Sequence, residues 1–377
     1  MRKIGIVNRT NLKNYGSVLQ VFALCHIIKT FGYDSEVVWQ SGNMSKNLDI
    51  RPNKVFKICC TLLSHPDLIL STLKTVKEVK DKIIDINKVR LFDEFVSKHF
   101  EQSFYAVDEI EKIAASDKYF KFVCGSDQVW VTTTLYPDPM MYLQFAPRHK
   151  RVAYAPSLGR DYIPRYNKKT LNRYISEIDY ISVREDTGKD LIKELIGRDV
   201  PVVADPTLLI SSNDWNTIKI DIELTEHYIL CYFLDEPSDL VKKAICKYAK
   251  ENKKKIVVLG QLSDIDLSDN DIIRPAAGPG EFLSIVCDAD MVITDSYHGM
   301  LFAINYHKLF WSVRRNYSQF DQSSRQLTVL RRLDLESRYL TNEFIFTDEL
   351  IDYDRVQSRL SDFVEFSIDY LKTSLNN

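Results

Sequence analysis

The stretch that most constrains the fold of this chain is residues 291–303, with the sequence MVITDSYHGMLFA. Four strand-forming residues open it, a polar tetrapeptide follows, and an apolar run of helical length completes it. Asp295 or Ser296 can cap the new helix. A strand that leads directly into a helix predicts a parallel α/β sheet. The carboxyl edge of such a sheet, where a helix begins, is suited to binding an anion.

His298 lies in the middle of this turn. A titratable imidazole beside an anion site can act as a proton donor, so His298 is the first candidate for a catalytic residue. The alternative interpretation is structural, because a single histidine at a strand end is more often a packed or solvated side chain. The remaining motifs have to decide between these two interpretations.

Composition narrows the functional classes. At 377 residues the chain is longer than one hydrophobic core usually serves, so two domains are expected. A net charge of -2 argues against nucleic acid as a partner. The seven cysteines form no CxxC pair, so neither a metal site nor a disulfide framework is predicted. Without an apolar signal region or a run of membrane-spanning length, a cytoplasmic protein is expected, in solution or at the inner face of the membrane.

Strand and helix patterns predict an α/β fold of two Rossmann-like domains that face a cleft. The N-terminal domain is predicted at residues 1–210, the C-terminal domain at 211–350 and a terminal helix at 351–377. A helical insertion rich in lysine is predicted at about 51–112 in the first domain. We expect its charged face to be solvated. The alternative is a helix pair that contacts anionic lipid through Lys74, Lys77, Lys80 and Lys82, a peripheral membrane contact.

The loop after the first predicted strand, residues 3–7, holds Asn14, Tyr15 and Gly16. It has no GxGxxG motif, so a dinucleotide cofactor is not predicted. Asn14 and Tyr15 are candidates for lining a ligand cleft. Equally, Gly16 can serve only to shape the turn into the following helix.

A second strand-end loop follows predicted strand 120–124 and contains Asp127, Gln128 and Trp130. Carboxylate and amide groups hydrogen-bond sugar hydroxyls, and a tryptophan ring can stack on a sugar face. The three side chains are therefore candidates for binding a saccharide. The alternative is that Asp127 caps a helix and Trp130 fills the core.

Arginines complete the candidate site. Arg184 follows predicted strand 180–183, and a planar guanidinium there can bind phosphate or carboxylate with two hydrogen bonds. Its alternative role is a salt bridge to a neighbouring acid. Arg314, Arg315 and Arg325 follow the strand at 308–313 in the second domain. Parallel strand order predicts that the candidates from both domains converge on one cleft.

Five motifs in sequence resemble those of the polysaccharide pyruvyl transferase family. They are Ile4-Gly5-Ile6-Val7 with Asn14-Tyr15-Gly16 and Leu19-Gln20, Gly125-Ser126-Asp127-Gln128-Val129-Trp130, Ser182-Val183-Arg184-Glu185, Ala204-Asp205-Pro206-Thr207, and Thr294-Asp295-Ser296-Tyr297-His298-Gly299. The resemblance implies a glycosyltransferase-B-like fold. It also implies transfer of a pyruvyl group from phosphoenolpyruvate to sugar hydroxyls, forming a ketal in bacterial capsule, exopolysaccharide or cell-wall polymer, on an acceptor that can be lipid-linked.

The resemblance also assigns residues. It implies a donor-binding arginine at Arg184 and a catalytic histidine at His298. Some members carry an arginine two residues before that histidine, where this chain has Ser296, which supplies one hydrogen bond and no charge. If the chemistry is retained, one or more of Arg314, Arg315 and Arg325 must compensate. The scheme needs no metal or other cofactor, and it places Asp127 as the base for the acceptor.

Two other functions remain open from the sequence. A nucleotide-sugar glycosyltransferase of the same fold would bind a diphosphate at the helix start of the second domain. A non-catalytic carbohydrate-binding protein would bind sugar without releasing phosphate. The arginine missing at Ser296 keeps the second alternative open.

Overall fold

The computed structural model describes residues 1–8, 13–40, 54–66, 68–69, 86–224, 227–263, 265–268, 271–316 and 323–377. The strands of the first sheet are β1 (Lys3–Val7), β2 (Asp34–Gln40), β3 (Gln102–Tyr105), β4 (Lys121–Cys124), β5 (Arg151–Ala153) and β6 (Tyr180–Ile181). The strands of the second sheet are β7 (Tyr228–Phe233), β8 (Lys255–Gly260), β9 (Ile272–Ile273), β10 (Met291–Thr294), β11 (Leu309–Val313) and β12 (Tyr339–Leu340).

The helices of the described residues surround these sheets. They are α1 (Tyr15–Thr30), α2 (Lys54–Ser64), α3 (Ile86–His99), α4 (Val107–Ala115), α5 (Arg165–Ser176), α6 (Asp186–Ile196), α7 (Ser212–Asn216), α8 (Asp239–Asn252), α9 (Pro279–Asp288), α10 (Tyr297–Asn305), α11 (Ser324–Leu333) and α12 (Tyr353–Asn376). A 3-10 helix at Pro206–Leu208 lies between the last strand of the first sheet and α7.

Both sheets are parallel and doubly wound. Their strand orders are β3-β2-β1-β4-β5-β6 and β12-β11-β10-β7-β8-β9. In each sheet the order reverses beside the first strand, between β1 and β4 and between β7 and β10, which are the positions where ligands bind in open α/β sheets. The predicted α/β fold with two Rossmann-like domains is confirmed.

The central strands are apolar on both faces, as strands covered by helices must be. All six residues of β7 and all four of β10 are buried. The register pairs Ile6 with Val37 and Val123 in the first sheet. In the second it pairs Ile293 with Cys231 and Trp311. These continuous apolar runs fix the sheets and leave their carboxyl ends to carry polar residues.

The predicted helical insertion at 51–112 was wrong in its last part. Residues Gln102–Tyr105 form β3 and pair with β2, and α4 then packs as an ordinary crossover helix. The strand has only four residues, too few for an alternating pattern to stand out in a lysine-rich region. Within the insertion, α2 and α3 are helical as predicted. The lysines of the possible lipid-contacting pair, Lys74 to Lys82, lie outside the described residues.

The two domains share one apolar core. Tyr15 of α1 is 2% exposed, its ring stacks on Phe282 of α9 with centroids 4.5 Å apart, and its hydroxyl donates to the Ala277 carbonyl at 3.0 Å. Tyr15 therefore joins the domains and does not line a ligand cleft, contrary to the prediction. The pattern around Tyr15 is that of a polar loop, so its burial against a residue far along the chain could not be anticipated.

The C-terminal helix α12 returns to the first domain. The Ser367 hydroxyl accepts a hydrogen bond from the Ala204 backbone at 2.8 Å, and Tyr33 donates to Asn376 at 2.8 Å. The helix therefore holds the first domain to the second. None of the helices that the structure describes is long and apolar enough to cross a bilayer.

Candidate active site

The two points of strand-order reversal meet at His298. This residue is the second of α10, whose first turn is capped by Ser296 through a 3.2 Å bond from the Gly299 N–H to Ser296 Oγ. The predicted cap at the turn is thus confirmed in its Ser296 form. Since a cap of this kind stabilises a helix by about 1 kcal/mol, the turn that carries His298 is well fixed.

The imidazole packs against the first turn of α1 in the other domain. A Cβ built on Gly16 would lie 2.0 Å from His298 Nδ1, so no residue with a side chain fits at position 16 without displacing the ring. The alternative prediction, that Gly16 only shapes the turn into the helix, does not account for this contact. Two helix N-termini, those of α1 and α10, consequently converge beside one histidine that is 6% exposed.

Asp205 connects the cationic groups of the two domains. Its Oδ2 accepts from Arg184 Nη1 at 2.9 Å and from Ser126 Oγ at 2.7 Å, and it lies 3.5 Å from His298 Nε2. Its Oδ1 accepts from the backbone and hydroxyl of Thr207 at 3.0 and 2.9 Å. Burial alone raises the pKa of Asp205, but His298, Arg184 and Ser126 together hold it well below its usual value. Asp205 is therefore an ionised carboxylate with both oxygens occupied.

Arg184 lies at the centre of the cluster, with a side chain that is 0% exposed. Besides Asp205, its Nη2 is 3.5 Å from Asp127 Oδ1 and its Nε is 3.7 Å from Glu185 Oε2. Its guanidinium lies 4.4 Å from the ring centroid of Tyr297, the first residue of α10. Burial acts to lower the pKa of Arg184, but the surrounding acids and Tyr297 raise it, so the guanidinium stays charged. Arg184 thus makes the predicted salt bridge and also reaches the second domain.

Asp127 faces this cluster from the loop after β4. Its backbone is left-handed, with a φ of 67°, and the loop does not continue into a helix, so the predicted alternative of a helix cap does not hold. Asp127 Oδ2 accepts from the Ser17 hydroxyl of α1 at 2.5 Å. Burial raises the pKa of Asp127, but Arg184 and His298 more than offset it, and the pKa is lowered. The carboxylate is ionised at neutral pH.

The second domain contributes Arg325 from the first turn of α11. The residue is 8% exposed, and Gln128, with its amide oxygen turned toward it, accepts from Nη2 at 3.3 Å. Hydrogen bonds between Thr187 and Ser324 at 2.9 Å, and between the Asp186 N–H and a threonine of α11 at 3.1 Å, hold α11 against α6. Arg325 and Gln128 were predicted as site residues in separate domains, and the fold brings them together.

The other two arginines lie elsewhere. Arg315 Nε is 2.7 Å from Asp235 and 3.5 Å from Asp295, both in its own domain. Arg314 is exposed at the end of β11, where its N–H donates to Leu340 at 2.8 Å. Of the three arginines that could compensate for Ser296, the structure places Arg325 in the cluster around Arg184.

Two further candidates have local structural roles. Trp130 is 1% exposed, stacks on Tyr142 with centroids 5.1 Å apart and donates to the Met141 carbonyl at 2.8 Å. Trp130 fills the core, in agreement with the alternative prediction, and the faces of its ring are not accessible to a sugar. Asn14 caps α1 by accepting from the Ser17 N–H at 3.1 Å. Neither role could be separated from ligand binding by local sequence alone.

Several buried polar atoms of the cluster have no hydrogen-bond partner among the described residues. They are Arg184 Nε, Arg184 Nη2, Glu185 Oε2, Tyr297 OH and His298 Nε2. Buried polar atoms are almost always paired in folded proteins, so a concentration of them in one place indicates a binding site. These atoms include donors and acceptors and come from both domains. In the described part of the chain, no group of three or more His, Cys, Asp or Glu is arranged to hold a metal ion.

The sequence matches the family model described as polysaccharide pyruvyl transferase over residues 14–317. The chain belongs to the polysaccharide pyruvyl transferase family. The match includes the whole cluster around Arg184 and His298 except Arg325, which lies beyond its end. No curated protein matches the sequence.

Solved structures resemble this pyruvyl transferase family member in overall fold. MnaA of S. aureus, solved with UDP, has 12% identity and a TM-score of 0.45, covering 99% of this chain and 91% of its own. A putative UDP-N-acetylglucosamine 2-epimerase from Listeria monocytogenes has 11% identity and a TM-score of 0.48, with coverages of 99% and 90%. The glycosyltransferase SnogD from Streptomyces nogalater has 12% identity and a TM-score of 0.45, with 99% of both chains covered.

Three residues of the site have no role predicted from the sequence. Asp205, Glu185 and Tyr297 lie within the motifs of the family resemblance, yet each neighbours a more conspicuous residue. The available signal was position, because Asp205 and Glu185 both follow short apolar runs at the ends of predicted strands. Their shared contact with Arg184 depends on the pairing of β5 with β6 and on the Val183–Val202 bridge, which local patterns do not encode.

Proposed function

We propose that this family member transfers the pyruvyl group of phosphoenolpyruvate to two hydroxyls of a sugar, forming a ketal during assembly of a bacterial capsule or exopolysaccharide. The observation that supports it is a group of buried donors and acceptors that have no hydrogen-bond partner in the described part of the chain. They belong to Arg184, Glu185, Tyr297 and His298 and come from both domains. Phosphoenolpyruvate has a phosphate and a carboxylate on one enol carbon. A site for it needs cations for two anionic groups and an acid for the methylene carbon.

Arg184 and Arg325 would bind the two anionic groups. Arg184 Nη2, which has no hydrogen-bond partner among the described residues, can donate to a carboxylate or phosphate oxygen of the donor from a guanidinium whose direction is fixed. The N-termini of α1 and α10 add backbone dipoles of the same sign. Phosphoenolpyruvate would therefore bind where both domains supply arginines and helix N-termini.

His298 would supply the proton. Asp205 lies 3.5 Å from Nε2, too far for a good hydrogen bond, while its oxygens are occupied by Arg184, Ser126 and Thr207. Asp205 therefore holds the imidazole in place without occupying Nε2, which would be free to protonate the methylene carbon. Protonation makes the neighbouring enol carbon, which carries the phosphate and the carboxylate, electrophilic, and a sugar hydroxyl then attacks that carbon.

The reaction balances without a further reagent. The methylene gains one proton and becomes a methyl group, two hydroxyls lose one proton each, and phosphate leaves with the second proton. Asp127, ionised and hydrogen-bonded to Ser17, would orient the acceptor by accepting a hydrogen bond from one of its hydroxyls. Because a lowered pKa makes a weak base, this orienting role suits Asp127 better than proton abstraction, the role first expected for it.

The test is phosphate release from phosphoenolpyruvate in the presence of methyl hexopyranosides with free 4- and 6-hydroxyls, with the mass of the acceptor measured afterwards. His298→Asn should lower turnover by about 10²–10⁴-fold, the range of a lost general acid. His307→Asn, the same change at an exposed histidine of the same domain, should leave turnover intact. Full turnover in His298→Asn would remove the assignment of the acid.

Donor identity is tested by ligand-dependent melting. Phosphoenolpyruvate should raise the melting temperature of the wild type, and Arg184→Lys should weaken that rise because a flexible ammonium cannot reproduce the fixed direction of the guanidinium donors. UDP serves as the comparison ligand for a nucleotide-sugar glycosyltransferase. A rise with UDP and none with phosphoenolpyruvate would refute the proposed donor.

A further inference from the structure

We infer that Glu185 is the general base that takes the proton of the attacking sugar hydroxyl, and that this hydroxyl binds between Glu185 Oε2 and Arg184 Nε. The inference rests on the proposed function and deepens it. It begins from the three carboxylates that surround Arg184, which are those of Asp127, Glu185 and Asp205.

The three carboxylates differ in how many of their oxygens accept a hydrogen bond. Both oxygens of Asp205 are occupied, as described above. Both oxygens of Asp127 also have donors, Ser17 Oγ on Oδ2 and the Gln128 N–H on Oδ1 at 2.8 Å. Glu185 Oε1 accepts from the Leu158 N–H at 2.7 Å, but among the described residues Oε2 has no donor. Glu185 is therefore the carboxylate of the cluster that keeps an oxygen for a substrate proton.

Glu185 Oε2 faces a donor that also has no hydrogen-bond partner within the described ranges. Arg184 Nε is 3.7 Å away, which is too long for a direct hydrogen bond. An oxygen placed about 2.8 Å from both atoms can accept from Nε and donate to Oε2. Only a group that is donor and acceptor at once satisfies the pair, and an alcohol hydroxyl is such a group.

The surroundings of Glu185 suit proton transfer. Its side chain is 2% exposed, and the charged or titratable groups that face it are Arg184 beside it, Arg325 from α11 and Tyr297 from α10. Burial raises the pKa of Glu185, and the two arginines, with hydrogen bonds from Leu158 and Ser157, only partly oppose this. The carboxylate is thus a stronger base than the ionised Asp127, whose pKa is lowered.

The protons on Glu185 and His298 can be followed through one turnover. The O–H bond of the first hydroxyl breaks, its proton goes to Glu185 Oε2, and its oxygen bonds to the donor carbon as His298 protonates the methylene. The carbon–oxygen bond to phosphate then breaks, and phosphate leaves with the proton from Glu185. The second hydroxyl attacks the same carbon and returns a proton to His298. Both residues end as they began.

The experiment compares Glu185→Gln with wild type in the phosphate-release assay across pH. A base that must be deprotonated gives a rise in kcat/KM with pH, and an acid gives a fall at higher pH. Glu185→Gln should lower kcat by about 10²–10³-fold and lose the rising limb while it keeps the fall. Binding of phosphoenolpyruvate, measured by melting shift, should be unchanged.

Two variants make the outcome decisive. Glu36→Gln alters another buried glutamate of the first domain, hydrogen-bonded to Tyr119, and should keep the rising limb. Glu185→Asp keeps a carboxylate and should keep the limb at reduced turnover, which also covers a failure of Glu185→Gln to fold. A rising limb retained in Glu185→Gln, or a loss of turnover matched by a loss of donor binding, overturns the inference. Absence of phosphate release by wild type with any acceptor instead overturns the proposed function.

Discussion

The two sheets have the same topology, but the aspartates at their carboxyl edges point in opposite directions. Asp127, after β4 of the first sheet, turns outward to Arg184 and the other domain. Asp295 directly follows β10, the equivalent strand of the second sheet, and turns back to accept from the N–H groups of Leu234 and Asp235 at 2.7 and 3.2 Å. The carboxylate of Asp127 faces the junction of the domains, and that of Asp295 binds backbone groups of its own domain. The second edge presents His298 to the junction instead.

The pKa values of Asp127 and Asp295 differ because their surroundings differ. Burial raises the pKa of both carboxyls. At Asp127, Arg184, His298 and hydrogen bonds from Ser17 and Gln128 more than offset it and lower the pKa. At Asp295, Arg315 and the backbone N–H groups offset it only in part, and the pKa is raised to about 6. Equivalent positions in a repeated topology thus acquire different chemistry from the partners that the tertiary fold supplies.

The arginines that pair with these aspartates should differ most in stability. Arg184→Ala should lower the free energy of unfolding by about 3–5 kcal/mol, because it leaves buried carboxylates without a cation. Arg315→Ala should cost about 1 kcal/mol, since its side chain is 19% exposed and Asp235 remains in contact with water. Urea denaturation of both variants measures the difference, and equal losses would contradict it.

The contact that brings His298 to the first domain is tested at Gly16. Gly16→Ala should lower kcat/KM by roughly 100-fold, because the new Cβ would displace the imidazole by about an ångström or more. The matched control is Gly280→Ala in α9, where the nearest atom to a Cβ is the flexible end of Ile220 at 2.7 Å. The control should fold and turn over as wild type does. An active Gly16→Ala enzyme would show that His298 lies away from the chemistry.

The two aspartates should give pH dependences of opposite sign. The pKa of Asp295 is raised on folding, so its contribution to stability is full below its unfolded pKa of about 4 and is lost as pH rises through about 6, on the order of 2 kcal/mol. The pKa of Asp127 is lowered, so its contribution is present above about pH 4 and is lost as pH falls further.

Urea midpoints between pH 3 and 8 measure both effects. Asp295→Asn should remove the decline between about pH 4 and 6, and Asp127→Asn should reduce the loss below about pH 4. A change of the same sign in both variants would show that the two edges do not differ in the way their geometry indicates.

The main elements could be predicted from sequence where the patterns are long. The strands near residues 3–7, 228–234 and 291–294, and the helix cap at Ser296, follow from apolar runs and local hydrogen bonding. The short edge strands β3, β9 and β12 have two to four residues, too few for a period to be read. Edge strands also need fewer apolar residues, which weakens the signal further.

The candidate site divides in the same way. Arg184 and His298 could be found because each follows a predicted strand, and a parallel sheet places such residues at one edge. The choice of Arg325 over Arg314 and Arg315 could not be made, because all three lie in polar sequence after one strand. Only the docking of α11 on α6 separates them.

By itself, the sequence determined two doubly wound domains and the strand ends that carry their polar residues, because periodicity and capping act within a few neighbouring residues. Only the tertiary structure decided that Gly16 receives His298, that Tyr15 and Trp130 enter the core and that Asp205 and Glu185 share Arg184. Those contacts join side chains whose helices and strands must first pack together, and the balance of burial and charge at each one exists only after that packing.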